Sequence, residues 1–180
     1  MTTRLPKYYR TRKMRNELRL IKQHLGILLL FMFPIACTTI DCPVQNTVYT
    51  VYTLQQANGK ADTLRDTIYV YTCRSDGKDT TILNAGIDLS TFTLPISYSN
   101  PEDTLYFLLR NEGVLSLDTV WIKKENYPHF ESVDCSAAFF HKITDVRSTH
   151  NGLDSITINK RDVTYDAKTE HFHIYLKAHD

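Results

Sequence analysis

Four cysteines are the residues of this sequence whose chemistry depends most on spacing: Cys37, Cys42, Cys73 and Cys135. A cysteine sulfur can be acylated, paired in a disulfide or bound to a metal. No Cys-x-x-Cys pair is present, so the spacing does not indicate a zinc site. Three cysteines follow Cys37, which allows one bridge and leaves one thiol over. Cys42 and Cys135 each follow an aspartate in turn-like surroundings, and we predict that they pair; the alternative is three unpaired cysteines.

Histidines and carboxylates show one spacing that suits a metal and none that suits catalysis. His171 and His173 are two residues apart, so on a strand their rings lie on one face and could meet one ion. A solvated strand face explains the same spacing, and we prefer that interpretation. Asp145, Asp154 and Asp162 lack the order of a calcium loop. No nucleophile elbow, phosphate-binding loop or His-Glu-x-x-His motif occurs, so we predict no catalytic residues, no metal, no cofactor and a non-enzymatic protein.

The first 36 residues differ in charge from the rest of the chain. Eight of the 21 basic residues but only one of the 20 acidic residues precede Cys37, so the remainder has a formal charge of −6. A net negative domain argues against nucleic acid as a partner. A basic stretch, an apolar run over 25–36 and the small Ala36 are typical of a secretory signal. The apolar run is too short to span a bilayer as a helix, which needs about 20 residues.

The pair Ala36-Cys37 resembles a lipobox, in which the cysteine receives diacylglycerol and becomes the new N-terminus. Pro34 departs from the aliphatic residue that is usual three positions before the cysteine. We predict a lipoprotein signal peptide over 1–36, with Met14 as an alternative true start, and lipidation of Cys37. Several acyl chains would attach the protein stably to a membrane. A tether over 37–45 then leads into the folded domain.

Strands are the elements that must position these groups. After the leader, runs rich in Thr, Tyr, Val and Ile alternate with turn residues, and no segment has a sustained helical period. The predicted strands cover 47–54, 63–73, 80–83, 87–97, 105–109, 114–122, 139–146, 155–159 and 171–177. Asn58-Gly59 predicts a hairpin turn between the first two. We therefore predict that, after an N-terminal signal helix, residues 46–180 form an all-β antiparallel sandwich, immunoglobulin-like, with seven to nine strands and with Phe107 and Trp121 in its core.

Five motifs give the mature chain a family resemblance: Cys37-Thr-Thr-Ile-Asp-Cys42, Leu94-Pro-Ile-Ser-Tyr98, Asp118-Thr-Val-Trp-Ile122, Phe130-Glu-Ser-Val-Asp-Cys135 and Phe139-Phe-His141. In these motifs the chain resembles small uncharacterised lipoproteins of the Bacteroidota, over essentially the whole mature chain. The resemblance implies a lipoprotein anchored in the outer membrane, and it supplies no catalytic residues. The residues just after Cys37 lack an acidic cluster of the kind that accompanies surface export in such proteins, which favours a periplasm-facing domain.

A second pattern resembles the O-glycosylation sequon of exported Bacteroidota proteins: Asp, then Thr or Ser, then a mostly aliphatic residue. It occurs six times, and the acceptors would be Thr63, Thr67, Thr80, Thr104, Thr119 and Ser155. The alternative is structural, because aspartate favours turns and a following Thr-Leu or Thr-Val begins a strand. We prefer the structural interpretation for any single site, and we predict that at least one of the six carries glycan.

Three functions from different classes are compatible with these features. The first is a non-enzymatic envelope lipoprotein whose sandwich binds a partner, for which an outer-membrane β-barrel protein is one class. The second is a glycan-binding module, suggested by Tyr69 and Tyr71, which share one strand face. The third is an envelope hydrolase, which would require Asp145 or His141 to lie in a deep pocket with a nucleophile.

Overall fold

The structure is a computed structural model that describes Lys22 and residues 47–73 and 77–177. The chain divides into two units, Met1–Ile40 and Asp41–Asp180. All described residues except Lys22 belong to the second unit, so the signal peptide and the tether lie outside the described residues. Nowhere in the described part is there a helix with the length and hydropathy to cross a bilayer.

Ten strands, and no helix, are found in residues 47–73 and 77–177. They are β1 (Tyr49–Leu54), β2 (Thr67–Cys73), β3 (Asp79–Gly86), β4 (Thr91–Pro95), β5 (Glu102–Asn111), β6 (Val114–His129), β7 (Ala138–Ser148), β8 (Leu153–Ile158), β9 (Asp162–Val163) and β10 (Phe172–Leu176). A four-stranded sheet has the order β4-β1-β10-β8, and a six-stranded sheet has the order β3-β2-β5-β6-β7-β9. The predicted all-β sandwich is confirmed, with ten strands instead of seven to nine. The pair β1–β10 is parallel, whereas the other strand pairs are antiparallel.

Alternate residues of the strands form the core between the two sheets. Along β5 the buried positions alternate with partly exposed ones, which is the period of two expected of a strand with one buried face. Phe107 of β5 is fully buried, as predicted, and its ring meets Tyr52 edge-on. Tyr52 also stacks between Phe92 and Phe172, with ring centroids 5.1 and 4.9 Å apart. Complete burial of one such ring contributes about 1.5–3 kcal/mol.

Trp121 is not a core residue, and the prediction that placed it there was wrong. It lies on β6 between Val120 and Ile122, both of which are buried, so the alternation of the strand puts the indole on the outer face. There the guanidinium carbon of Arg147 lies 4.7 Å from the indole centroid, a cation–π contact. The size of a side chain suggested a core position, but the register of the strand decides its face.

The turn at Asn58-Gly59 is not the hairpin that its sequence predicted. Gly59 has the positive φ of a tight turn, 78°. However, β1 pairs with β4 and β10, whereas β2 belongs to the other sheet, so this turn lies in a connection between the sheets. Glu112-Gly113 does close a hairpin, between β5 and β6, with φ values of 44° and 91°. Two positive φ values in succession are what a type I′ hairpin turn requires.

β7 has a bulge opposite Lys123 and Lys124 of β6. Lys123 pairs with Asp145, but the next residue, Lys124, pairs with Ile143, so β7 has one extra residue at this point. Nη1 of Arg161 donates to the carbonyl oxygens of Ile143 and Thr144, both at 2.9 Å, and so holds the bulge. On the N-terminal side of the bulge Ile143 and His141 face the core beside Lys124.

Candidate functional site

Cys135 lies in the loop between β6 and β7 and is disulfide-bonded. Its predicted partner, Cys42, and the predicted lipidation site, Cys37, lie outside the described residues, so the pairing and the lipidation stay predictions. The β6–β7 loop is close to the first described residue of the domain, because Thr47 and Ala137 line the same pocket. A disulfide in this loop therefore acts at the end of the sandwich where Thr47, the first described residue of the domain, lies.

His171 and His173 do not share a solvated strand face, and they are not arranged as a pair of metal ligands. His171 is fully buried and precedes β10, and its Nδ1 accepts a hydrogen bond from the backbone N–H of Val51 at 3.0 Å. Burial lowers the pKa of His171. His173 is half-buried and its Nε2 lies 3.3 Å from Glu170 Oε2. The preferred interpretation was thus wrong for His171, because the backbone N–H of His171 also donates to the carbonyl of Val51 and fixes it against β1.

Among the residues that the structure describes, no group of three or more His, Cys, Asp or Glu side chains is placed to hold a metal ion. Asp145, Asp154 and Asp162 are exposed. They lie on three different strands, β7, β8 and β9.

The six candidate glycosylation motifs differ in how they are buried. Asp66, Asp103 and Asp118 are buried, so three motifs begin with a carboxylate that points into the domain. Of the acceptor residues, Thr67, Thr80, Thr104, Thr119 and Ser155 are half-buried, whereas Thr63 is exposed. Thr63 also lines an open, polar groove of about 840 Å³. The burial pattern favours the structural interpretation at Asp103 and Asp118 and leaves Thr63 as the most accessible acceptor.

We expect that, if the native host modifies the folded domain, the glycan is on Thr63. The Thr63→Ala variant purified from that host should then lack the glycan mass that intact-mass analysis finds on the parent protein. Thr80→Val, at a half-buried acceptor on the edge strand β3, is the matched control and should keep the full mass. A parent mass equal to polypeptide plus lipid, or glycan retained by Thr63→Ala, would contradict this assignment.

Lys124 is the most unusual buried group, because lysine is almost never fully buried unless it is paired. Its side chain is 0% exposed, and Nζ lies 3.1 Å from Oδ2 of Asp103. Nζ also donates to Ser97 Oγ at 3.1 Å and to the carbonyl oxygen of Asn100 at 2.5 Å. These three partners use all three protons of the ammonium group. The hydroxyl of Ser97 in turn donates to Oδ1 of Asp103.

Ser97 and Lys124 have the residue types of a serine–lysine dyad, but their protons are arranged differently. In such a dyad a neutral amine accepts the proton of the serine. Here the ammonium donates to Ser97, and the serine proton goes to Asp103. Burial lowers the pKa of Lys124, while the adjacent Asp103 acts in the opposite direction. The backbone N–H of Lys124 also donates to the carbonyl of Pro101 at 2.8 Å, so the cluster fixes the β4–β5 connection on β6.

His141 extends this polar cluster onto β7. Its Nδ1 lies 2.8 Å from Oδ1 of Asn126, and Nδ2 of Asn126 donates to the carbonyl of Asn100 at 3.0 Å. The second bond fixes the orientation of the amide, so Nδ1 of His141 must carry the proton. Burial, followed by the charge of Lys124, lowers the pKa of His141 to about 4, with Asp103 acting in the opposite direction. The imidazole is therefore neutral at physiological pH.

A pocket of about 310 Å³ lies beside His141. The described residues that line it, besides His141, are Thr47, Val48, Ile96, Tyr98, Ala137 and Phe139. This lining contains no serine or cysteine, and Asp145 is exposed on β7 instead. Among the described residues, this pocket therefore brings neither Asp145 nor a serine or cysteine nucleophile to His141.

The neutral state of His141 predicts that the domain loses stability in mild acid. The pKa is 6.5 in the unfolded chain and about 4 in the folded one, so the unfolded state binds the proton more tightly. The neutral imidazole makes its full contribution to the free energy of unfolding above pH 6.5. As the pH falls towards 4, that free energy decreases by on the order of 2–3 kcal/mol. Urea titrations of the parent and of His141→Gln, which stays neutral, should diverge over this range, with the flatter dependence in the variant. Parallel pH profiles would contradict the assignment.

Asp118 is fully buried, and its carboxylate accepts four hydrogen bonds. Oδ1 accepts from the hydroxyl of Thr149 at 2.9 Å and from the backbone N–H of Asn151 at 2.7 Å. Oδ2 accepts from the backbone N–H groups of Gly152 and Leu153, at 2.7 and 2.9 Å. The connection from β7 to β8 passes from one sheet to the other here, and Asp118 fixes it on β6. The sequence placed Asp118 in a family motif and in a glycosylation motif and did not indicate a buried carboxylate, although the turn-forming Asn151-Gly152 marked the segment that needs such a partner.

The outer face of the six-stranded sheet carries apolar and aromatic side chains where a solvated face is usually polar. We call this surface the outer apolar face; it consists of Tyr69, Tyr71, Tyr106, Leu108, Leu115 and Leu117. The register places these residues together, with Leu108 opposite both Tyr69 and Leu117. Leu115 and Leu117 are 62% and 51% exposed. Tyr69 and Tyr71 share this face as predicted, with rings 8° from parallel and centroids 6.4 Å apart.

A second group of aromatic side chains, some exposed and some half-buried, lies near Thr47, where the described part of the domain begins. Thr47 and Val48 line two pockets, of about 310 and 200 Å³. We call the residues around them the aromatic rim; they are Tyr49, Tyr98, Phe139, Phe140 and Tyr165. Tyr98 meets Phe139 with ring centroids 5.7 Å apart, and Phe140 meets Tyr165 at 5.0 Å. The β6–β7 loop at this end exposes Phe130 (62%) and Val133 (98%).

Comparison with known proteins assigns this domain to a protein family. No curated protein and no solved structure is significantly similar to the chain. The family match covers residues 67–176, which run from the start of β2 to the end of β10 and make up more than half of the chain. The match includes Lys124, Asp118, the outer apolar face and most of the aromatic rim, and it leaves out β1 and the leader. The chain therefore belongs to DUF6452, a family of unknown function.

Proposed function

We propose that this protein is an envelope lipoprotein of the Bacteroidota type, acylated at Cys37, whose sandwich binds a protein partner and catalyses no reaction. Support for the address comes from the basic and apolar leader that ends in Ala36-Cys37. The outer apolar face is the observation that carries the proposal of partner binding. The domain lies in the periplasm, attached to the outer membrane by its lipid.

The outer apolar face has the composition of a protein-binding surface. Interface centres are rich in aromatic residues and poor in charge, and they are bordered by polar side chains. Three tyrosines and three leucines occupy neighbouring positions of β2, β5 and β6. At the border lie the exposed Arg110 and the ion pair between Arg147 Nη2 and Glu102 Oε1, at 2.8 Å. A patch of this kind on a monomeric domain is typical of a docking site.

The polar cluster supports a binding module rather than an enzyme. The ammonium of Lys124 and the hydroxyl of Ser97 are both committed to Asp103, and Lys124 is shielded from solvent. A catalytic group needs access to substrate, and it needs a proton state that can change during the reaction. Lys124 has neither property, so its role is to stabilise the fold.

Position-specific photo-crosslinking in the native envelope tests the partner, which we take to be an outer-membrane β-barrel protein. A photoreactive residue at Leu108 should give a discrete protein adduct, because this position lies in the middle of the outer apolar face. The matched control is the same residue at Thr157, which is exposed on β8 of the other sheet and should give no such adduct. Adducts only with lipid, or the same adducts from both positions, would contradict the proposal.

Labelling with radioactive palmitate tests the anchor separately. The parent protein should incorporate label and fractionate with membranes, whereas Cys37→Ser should do neither. A parent protein without label, or a mature protein that still carries residues 1–36, would contradict the proposed address.

Glycan binding is the second candidate, and the pair Tyr69–Tyr71 favours it. The two nearly parallel rings lie along one strand and offer apolar ring surface together with two phenolic hydroxyl groups, which are the kinds of contact that a sugar requires. A glycan array probed with the parent protein should then show binding that Tyr69→Ala and Tyr71→Ala each remove. If the protein bound no glycan on the array, this candidate would be excluded, and the proposal of protein binding would be unaffected.

A further inference from the structure

The aromatic rim and the β6–β7 loop lie at the end of the domain that is closest along the chain to the proposed lipid. Ten peptide units separate Cys37 from Thr47, a reach of about 35 Å when fully extended. β6 alone, from Leu115 to Tyr127, covers about 40 Å. Because the fully extended tether is shorter than β6, the domain cannot stand on the bilayer with the β5–β6 hairpin at the lipid and the Thr47 end pointing away from it.

The disulfide shortens the tether further if its partner is the predicted one. Cys135 belongs to the β6–β7 loop, two residues after Val133 and five after Phe130. Pairing with Cys42 would leave five peptide units, or about 18 Å, between this loop and the acylated residue. With that pairing, the exposed Phe130 and Val133 are held close to the lipid.

We propose that this end of the domain rests on the membrane, with Phe130 and Val133 inserted among the lipid headgroups and the aromatic rim at the bilayer–water boundary. This inference rests on the proposed acylation of Cys37 and adds the orientation of the domain to it. Tyrosine and other aromatic side chains are enriched at such boundaries, because one end of the ring system is apolar and the other is polar. Tyr98 (67% exposed) and Tyr127 (40%) have this character.

The charged side chains of the β6–β7 loop determine which lipid headgroups it favours. Glu131 and Asp134 are exposed beside Phe130 and Val133, and Glu131 Oε1 lies 3.1 Å from Nε2 of His129. Two carboxylates at the surface of a bilayer favour headgroups that carry an ammonium group and disfavour a purely anionic surface. The occupant is therefore a phosphatidylethanolamine-rich membrane, bound through apolar and aromatic contacts.

The orientation places the outer apolar face in a position to meet a partner. Leu115 and Leu117 lie near the β5–β6 hairpin, at the far end of β6 from Tyr127 and His129. With Phe130 at the membrane, the exposed leucines of the hairpin project away from the bilayer. In this orientation the end with Phe130 contacts lipid, and the outer apolar face is available to a protein partner.

Depth-dependent quenching of tryptophan fluorescence tests this orientation on the acylated full-length mature protein. Trp121 is replaced by Phe, and a single tryptophan is then introduced at Phe130, or at Leu115 as the matched control. The proteins are reconstituted in vesicles of phosphatidylethanolamine and phosphatidylglycerol that contain lipids brominated near the headgroup. We expect quenching roughly threefold stronger for Phe130→Trp than for Leu115→Trp, because only the first indole reaches the interface. Adding Val133→Ser to Phe130→Trp should weaken the quenching.

Intact-mass analysis of the same preparations separates the two levels of the proposal. Acyl chains present, with equal or absent quenching at Phe130→Trp and Leu115→Trp, would overturn the orientation and leave the lipoprotein assignment standing. A mature protein without acyl chains would overturn the lipoprotein assignment, and the orientation would fall with it. Phe130 and Leu115 are both exposed, so the substitutions should leave the fold intact, which a urea titration of each variant verifies.

Discussion

Replacing Lys124 by methionine is expected to lower the free energy of unfolding by about 3–5 kcal/mol, because it leaves Asp103 as an uncompensated charge in the interior. Asp103 is 8% exposed and would retain only the hydrogen bonds from the N–H and the hydroxyl of Ser97. The carbonyl of Asn100 would lose the ammonium as well. Urea unfolding followed by circular dichroism measures the loss as a lower midpoint with an unchanged slope.

Two variants decide whether the buried charge is the cause. Lys123→Met removes the neighbouring lysine, which is exposed, and should change stability by less than about 0.5 kcal/mol. Asp103→Asn combined with Lys124→Met removes both charges, while the asparagine can still accept the N–H of Ser97. This double variant should be more stable than Lys124→Met alone by about 1 kcal/mol or more, since no unpaired charge is then buried. A double variant no more stable than the single one would show that lost packing, rather than charge, dominates.

The sandwich was predictable because its signal is local. Strands with one buried face alternate with a period of two, and turn residues separate them, so both features can be read from short windows of sequence. The pairing of strands depends on residues far apart in the chain. Tyr52 of β1 therefore gave no sign that it would lie opposite Phe172 in a parallel pair, and Asn58-Gly59 suggested a hairpin between strands of different sheets.

The polar cluster shows the same limit at the level of single residues. Ser97, Asp103 and Lys124 come from three segments, and nothing in their local sequence marks them as partners. Lys124 follows an exposed lysine on the same strand, and only the alternation of β6 separates the buried residue from the solvated one. The prediction for Cys37, in contrast, rests on a local pattern, the apolar run over 25–36 and the small residue directly before the cysteine, and it stays a prediction because Cys37 lies outside the described residues.

Sequence motifs and structural contacts compete for the same residues at Asp118. The run Asp118-Thr119-Val120 resembles a modification sequon, but the structure commits its carboxylate to three backbone N–H groups and one hydroxyl. The backbone N–H of Thr119 is also paired, since it donates to Thr149 Oγ1 at 2.8 Å, and the threonine side chain is half-buried. The carboxylate of Asp118 therefore contributes to the fold whether or not the host modifies Thr119.

Asp118→Asn is accordingly expected to destabilise the domain by about 3 kcal/mol, even in protein made in a host that adds no glycan. The substitution keeps the size of the side chain but turns one acceptor oxygen into an amide donor. Either the backbone N–H groups of Gly152 and Leu153, or the N–H of Asn151 and the hydroxyl of Thr149, would then face a donor in the interior. The measurements are urea unfolding and amide hydrogen exchange, in which the Gly152 and Leu153 amides should exchange faster than those of the core strands.

The matched control is Asp145→Asn, an exposed carboxylate on β7, which should change stability by less than about 0.5 kcal/mol. Gly152→Ala provides an independent perturbation of the same connection, because an added Cβ would lie 2.8 Å from Cδ1 of Leu109 and 2.9 Å from Cβ of Ser116. Overpacking of this kind costs about 1–3 kcal/mol. An Asp118→Asn variant as stable as the parent, or one whose Gly152 and Leu153 amides stay protected, would contradict a structural role for Asp118. Loss of stability only in protein from the native host would instead assign the residue to the modification motif.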